Sequence, residues 1–201
     1  HKLNINVIGI SNSKKMLIMQ NGIKPERYKK DLDTNGEKAD IDLFIEKMKY
    51  LNLRNSVFID CTASKEIAQA YKKVLDSYIS VVTTNKIACS SEYSLYKELK
   101  KTALHKNVKF MYETNVGAGL PIINTLNDLK KSGDRIIRIE AVLSGTLNFI
   151  LNELSEKITL SKAIQIAADK GISEPDPRTD LSGIDVKKKL LILARETGHE
   201  M

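Results

Sequence analysis

This chain is poor in the features that usually assign a protein quickly. Its two cysteines, Cys61 and Cys89, give no disulfide framework and no metal-ligand spacing, which favours a reducing, cytoplasmic setting. No run approaches the ~18 apolar residues needed to span a bilayer, so no membrane segment is expected. The sequence opens at His1 and reads as strand by Leu3, so no signal peptide is expected either. Basic residues outnumber acidic ones by 32 to 25, a net charge of +7, but they are spread along the chain. Without a basic stripe and interleaved aromatics, nucleic acid is not an expected partner. Internal repeats and low-complexity tracts are absent. So is the GxGxxG fingerprint, whose glycines let a dinucleotide pyrophosphate approach a helix N-terminus.

What is present is ordinary in bulk. The 201 residues, 42% apolar and 28% charged, suit a globular protein with ample material for a core. Strand-like runs at 3–10, 56–61, 79–83 and 108–112 alternate with helical spacing at 39–51, 65–75 and 91–104, the pattern of βαβ units and a parallel sheet. Val57-Phe58-Ile59 and Ile79-Ser80-Val81-Val82 are apolar nearly throughout, as in strands covered on both faces. The pattern changes near Pro121, which suits the first turn of a helix running to Ser132. Residues 135–143 then alternate, with Ile137, Ile139 and Ala141 opposite Arg138 and Glu140, as in a half-exposed antiparallel strand. Helices are expected at 147–156, 160–170 and 184–196. The whole reads as an α/β chain: a partial, Rossmann-like dinucleotide-binding domain at 1–115, then an α+β substrate domain at 116–201.

Several loops carry candidate chemistry. If residues 3–10 form the second strand of a nucleotide-binding sheet, Ser13 and Lys14 lie where the adenosine ribose is read, and would suit a 2′-phosphate. An ordinary polar turn explains them equally. Cys61-Thr62-Ala63-Ser64 follows a strand and opens a helix, so Thr62 could face a cofactor while Ser64 fits an N-cap. Cys61 could be a nucleophile, but no histidine is near it in sequence, and a buried cysteine is the simpler expectation. Lys86 ends another strand, where open α/β sheets bind ligands. The glycine-interrupted loop from Glu113 to Pro121 could turn carbonyl oxygens around a hard cation or simply form a tight crossover. At Ser144-Gly145-Thr146, either hydroxyl could be a helix cap.

The most specific stretch is 174–189. Glu174, Asp176, Asp180 and Asp185 crowd a loop that Pro175 and Pro177 should keep out of helix and sheet, and it runs into a helix with three lysines. Ser182 and Asp185 have capping-box spacing. Asp185 and Lys189 are four apart, which suits an ordinary ion pair. The same spacing would also put an acid and an amine on one face of a helix at a cleft, where the lysine could exchange a proton with a substrate hydroxyl as hydride leaves.

Taken together, Asn85-Lys86, ETNVGAGLP at 113–121, SGTLN at 144–148 and EPDPRTDLSGIDVKKKLLILARETG at 174–198 resemble homoserine dehydrogenase over essentially the whole chain. Residues 87–91 are similar to the form fused behind an aspartokinase. The resemblance implies NAD(P)-dependent interconversion of L-homoserine and L-aspartate 4-semialdehyde, on the route to threonine and methionine. It implies that Lys86 and Lys189 are the acid–base pair, that Asp185 orients Lys189 and substrate, and that Glu174, Asp180 and Thr146 line the homoserine site. Thr62 and Lys86 would touch NADP or NAD. Glu113, Val116, Ala118 and Leu120 would hold a sodium ion, largely through backbone oxygens. The strand at 135–143 would belong to the sheet with which the family forms homodimers. Ile172 stands where family members usually carry tyrosine. The family's first strand and its C-terminal return to the nucleotide-binding domain are expected to be missing, leaving this stretch inactive or weakly active alone. The alternatives are a non-catalytic dimerisation or scaffold role and, more distantly, a thiol-dependent dehydrogenase using Cys61 or Cys89.

Overall fold

The computed structural model describes residues 4–173 and 176–201. The chain opens with β1 (Gly9–Ser11), β2 (Lys15–Ile18), α1 (Tyr28–Asn35) and β3 (Glu37–Lys38), followed by α2 (Ile41–Leu51). The three strands form one antiparallel sheet in the order β1-β2-β3. This corrects the expectation that residues 3–10 are a strand of the parallel sheet. Asn12 is the local cause: its side-chain oxygen accepts from the amides of Lys14 and Lys15, both at 2.8 Å, and so turns the chain back on itself. Ser13 and Lys14 are therefore exposed residues of a hairpin turn. Helix α1, which the sequence reading missed, helps close a small core of Leu17, Ile23 and Leu32.

A second sheet has the order β4 (Val57–Asp60), β5 (Ser80–Thr83), β6 (Phe110–Met111), joined through α3 (Lys65–Asp76), α4 (Ile87–Ser90) and α5 (Tyr93–His105). The Ser80 amide donates to Ser56 O and the Thr84 amide to Asp60 O, so β4 and β5 ascend together as parallel strands. Their faces alternate. Phe58, Asp60, Val81 and Thr83 are buried, while Val57, Ile59 and Val82 are exposed, which corrects the expectation of cover on both faces. Helix α3 is strongly amphipathic and buries Tyr71, Val74 and Leu75; a side chain of leucine size gains about 1.5–3 kcal/mol from such burial.

The remaining elements are α6 (Ile122–Lys131), α7 (Gly145–Glu153), α8 (Leu160–Asp169), α9 (Pro177–Leu181) and α10 (Ile184–Glu196). Residues 135–143 pair with no strand among the described residues, a correction to the expected ladder. A strand needs a neighbour for its main-chain groups, and Ile137, Ile139 and Val142 are instead exposed. The expected helix at 147–156 begins two residues earlier, because Ser144 caps it. Two compact units result. One comprises His1–Ile59, Glu66–Val81 and Leu99–Phe110; the other comprises Asp60–Lys65, Val82–Glu98 and Met111–Met201. The carboxyl ends of β4 and β5 thus belong to the unit that holds α6 to α10. No helix among the described residues is long and apolar enough to cross a membrane.

Candidate active site

Helix α10 starts abruptly. Its N-cap, Gly183, takes φ 66°, a left-handed conformation that side-chain-bearing residues adopt at a cost. No side chain caps this end, so the expected Ser182–Asp185 capping box does not form. The Ser182 hydroxyl instead accepts from the Ile184 amide at 3.3 Å, and the Asp185 side chain is left for other partners. One turn on, Lys189 Nζ lies 2.8 Å from Asp185 Oδ2 and donates to Leu143 O, also at 2.8 Å. Lys86, at the N-terminal end of α4, brings its Nζ to 3.3 Å from Asp185 Oδ1.

Each carboxylate oxygen thus meets one ammonium. The lysine side chains are 26% (Lys86) and 20% (Lys189) exposed, against 54% for Asp185, so the cations are better shielded than the anion between them. Burial opposes ionisation of Asp185. The Lys189 hydrogen bond and the charges of Lys86 and Lys189 together outweigh it and hold the carboxyl below its ordinary range. Two cations on one anion leave a net positive charge, which suits an oxygen that becomes negative during reaction.

Lys86 is aimed from the strand ends. Asn85 is buried, and its Nδ2 donates to Asp60 Oδ2 (3.1 Å) and Ser64 O (2.9 Å), while its Oδ1 accepts from the Ile87 amide (3.1 Å). Asp60 Oδ1 accepts in turn from the Thr62 amide at 2.7 Å. The turns after β4 and β5 are therefore tied together, with Thr62 left exposed where a parallel sheet receives a dinucleotide. Sequence reading missed this link. Its signal was a buried-type Asp ending one strand and an Asn just beyond the next. Cys61 is exposed and Cys89 buried, so the expectation of burial fails at Cys61. Here the chain has left the strand and entered a turn.

At the start of α7 the Ser144 hydroxyl accepts from the Leu147 amide at 3.1 Å and is the cap. Thr146 is not needed there, and its hydroxyl donates to Ile172 O at 2.9 Å. Helix α9 packs against both α7 and α10, and Asp180 on α9 is half-buried. Thr146, Asp180, Asp185 and Lys189 are thus carried by three helices linked through α9. Glu174 and Pro175 lie outside the described residues. Pro177 does not exclude a helix, contrary to expectation: it occupies the first turn of α9, where a missing amide costs nothing. Asp176 caps that helix by accepting from the Arg178 amide at 3.0 Å, and the Arg178 guanidinium beside it holds its carboxyl below the ordinary range.

The Glu113 carboxylate does not face outward to a cation. It accepts from the amides of Ile123 (2.7 Å) and Asn124 (2.9 Å) and so caps α6. Gly117, at φ 84°, has Ile122 Cγ1 only 2.5 Å from where a Cβ would stand, so glycine is required there. Val116 is buried, whereas Ala118 and Leu120 are exposed, and Ala118 is also left-handed. No cluster of three metal-ligating side chains occurs among the described residues. The oxygens that remain for a hard cation are neutral: the loop carbonyls and the buried side-chain amide of Asn115, whose oxygen and nitrogen have no hydrogen-bond partner.

One further cluster gave no local signal in the sequence. Glu196, in the last turn of α10, is buried and accepts from Tyr96 Oη (2.6 Å), Tyr112 Oη and Asn127 Nδ2 (3.2 Å). Burial, reinforced by the Glu196 charge, pushes the ionisation of both phenols far above the ordinary tyrosine range. The network anchors α10 two turns beyond Lys189.

Family models match along almost the whole chain: "Homoserine dehydrogenase, NAD binding domain" at residues 1–113 and "Homoserine dehydrogenase" at 121–201. A bifunctional aspartokinase/homoserine dehydrogenase from Haemophilus influenzae is 45% identical over 98% of this chain and 24% of its own length. Among solved structures, a Candida auris protein of unknown function superposes over all of this chain and 57% of its own, at TM-score 0.89 and 32% identity. A hyperthermophilic archaeal homoserine dehydrogenase in complex with NADPH matches 96% of this chain and 60% of its own, at TM-score 0.76 and 32% identity. The chain spans about a quarter of the length of the curated relative.

Proposed function

The chain belongs to the homoserine dehydrogenase family, and from that premise we propose that the full-length protein interconverts L-homoserine and L-aspartate 4-semialdehyde with NAD(P). This would place it on the route to threonine and methionine. The observation that carries the reading is the Lys86–Asp185–Lys189 cluster beside Leu143. Bound NAD(P) supplies the hydride acceptor or donor. The lysines supply the proton. In the reducing direction an ammonium held by Asp185 gives its proton to the aldehyde oxygen as hydride arrives at carbon. In the oxidising direction the same amine takes the hydroxyl proton. The cluster's residual positive charge lowers the energy of the intervening alkoxide-like oxygen.

Asp180 on α9, which packs on α10, and Thr146 on α7, which packs on α9, are our candidates to receive the substrate's ammonium and polar groups, with Glu174 as a further carboxylate. Thr62 and Lys86 would contact the cofactor. The hairpin residues Ser13 and Lys14 offer a hydroxyl and an ammonium that would suit an adenosine phosphate. A sodium ion would be held by backbone oxygens of Glu113, Val116, Ala118 and Leu120, since the Glu113 carboxylate is engaged by α6. The exposed, unpaired stretch 135–143 is the candidate surface for a homodimer, and an aspartokinase fused to the chain is the expected neighbour, as in the H. influenzae relative.

The test is homoserine-dependent NADPH formation by the purified full-length protein. Turnover that requires both homoserine and NAD(P) supports the reading. A folded, dimeric protein that binds cofactor without turnover would favour a scaffold role instead.

A further inference from the structure

Lys86 and Asp185 come from elements distant in sequence, yet their charged atoms meet at 3.3 Å. An ion pair whose carboxylate is half exposed is too weak to hold two elements in register by itself. The linkage lies at the other end of α4. The Lys86 carbonyl accepts from the amides of Cys89 (3.1 Å) and Ser90 (2.9 Å) and from the Ser90 hydroxyl (2.8 Å), so the lysine's main chain is fixed to that single helical turn. Just beyond, the carbonyls of Cys89 and Ser91 accept from Arg195, through Nη1 at 2.7 Å and Nη2 at 2.5 Å.

Arg195 stands in the last turn of α10, the helix that carries Asp185 and Lys189 at its start. The residue is 5% exposed, and its guanidinium packs over the rings of Tyr93 (5.7 Å) and Tyr96 (5.5 Å). Its third nitrogen, Nε, donates to Met201 O at 2.8 Å. All three nitrogens are thus committed to main-chain oxygens. A planar fork can bridge two carbonyls at once in a fixed orientation, which a single ammonium does not do.

We propose that Arg195 is a positioning residue: by clamping the carboxyl end of α4 to α10 it sets where Lys86 meets Asp185 and so assembles the proton-transfer cluster. This rests on reading that cluster as the acid–base centre. Arg195 acts through Lys86, its three guanidinium nitrogens being engaged by main-chain oxygens.

The experiment is a double-mutant cycle in the full-length protein, with kcat and the homoserine KM measured for Arg195→Met, Lys86→Met and the pair. A shift of about 1 Å in a reacting group costs on the order of 100-fold in rate, so Arg195→Met should lower kcat by roughly 10- to 100-fold with little change in KM. In the Lys86→Met background the same substitution should change kcat by less than about twofold, because there is no longer a lysine to misplace. Arg195→Lys, which keeps the cation and one donor, should recover part of the rate; it carries the cycle if Arg195→Met does not fold. Equal fold-losses in both backgrounds, or an unchanged kcat in Arg195→Met, would overturn the clamp and leave the acid–base reading standing. Wild-type turnover in Lys86→Met would remove that reading, and the clamp with it.

Discussion

Lys189 Nζ lies 2.8 Å from Asp185, one turn away on the same helix, and reaches Leu143 O at an equal distance. The i,i+4 pair alone would be worth only ~0.3–0.5 kcal/mol. Lys86 closing on the other carboxylate oxygen changes its character, because one anion now holds two proton donors at a single point.

Asp185→Asn should remove a pH-dependent contribution to stability. The folded-state pKa of Asp185 lies below its unfolded value, so its contribution is complete above the ordinary aspartate value of about 3.9 and is lost as pH falls through the lower folded value. Urea denaturation of wild type and variant across this range should show a stability gap near neutrality that closes in acid. A gap that widens on acidification would contradict the assignment.

Asn85→Ala should destabilise through the groups it abandons. Asp60 loses a buried donor, and Ser64 O and the Ile87 amide each lose a partner. A loss of about 1–3 kcal/mol is expected by chemical denaturation. A change below about 0.5 kcal/mol would mean that the strand ends hold without this link.

How far these features could be read beforehand depended on whether they were local. The helix Ile184–Glu196 and the Asp185–Lys189 pair follow from spacing within one element, and the parallel sheet from the alternation of runs. The hairpin at Asn12 hid behind an apolar run, since Ile5 to Ile10 suits a parallel strand equally well. The Glu113 carboxylate looked free to add charge to a cation site because the helix amide that it caps lies ten residues further on. The meetings of Glu196 with Tyr96, Arg195 with Cys89, and Lys86 with Asp185 join residues that only the completed fold brings together. No pattern in one sequence announces such pairs.

At high pH, Tyr96 and Tyr112 should resist ionisation. Their folded pKa values are raised, so the stability they carry is present below the ordinary tyrosine value of about 10 and declines as pH rises past it. Ultraviolet titration of the 201-residue chain should show at least these two of its seven phenols silent until it unfolds. If all seven titrate together while it remains folded, the buried network is wrong. In Glu196→Gln, loss of the carboxylate charge should let both phenols ionise at lower pH than in wild type.

Ile137 is 94% exposed within the unpaired stretch 135–143. If the proposed homodimer forms through it, Ile137→Lys should shift the full-length protein toward monomer in light scattering without unfolding the subunit. An unchanged dimer would place the subunit contact elsewhere.

The central claim is that Lys189 handles the substrate proton, and Lys189→Met in the full-length protein tests it most directly. With NADPH binding followed by fluorescence, the account predicts a fall in kcat of roughly 10²- to 10⁴-fold while cofactor affinity stays within a few-fold of wild type. A variant that turns over homoserine at the wild-type rate would contradict it.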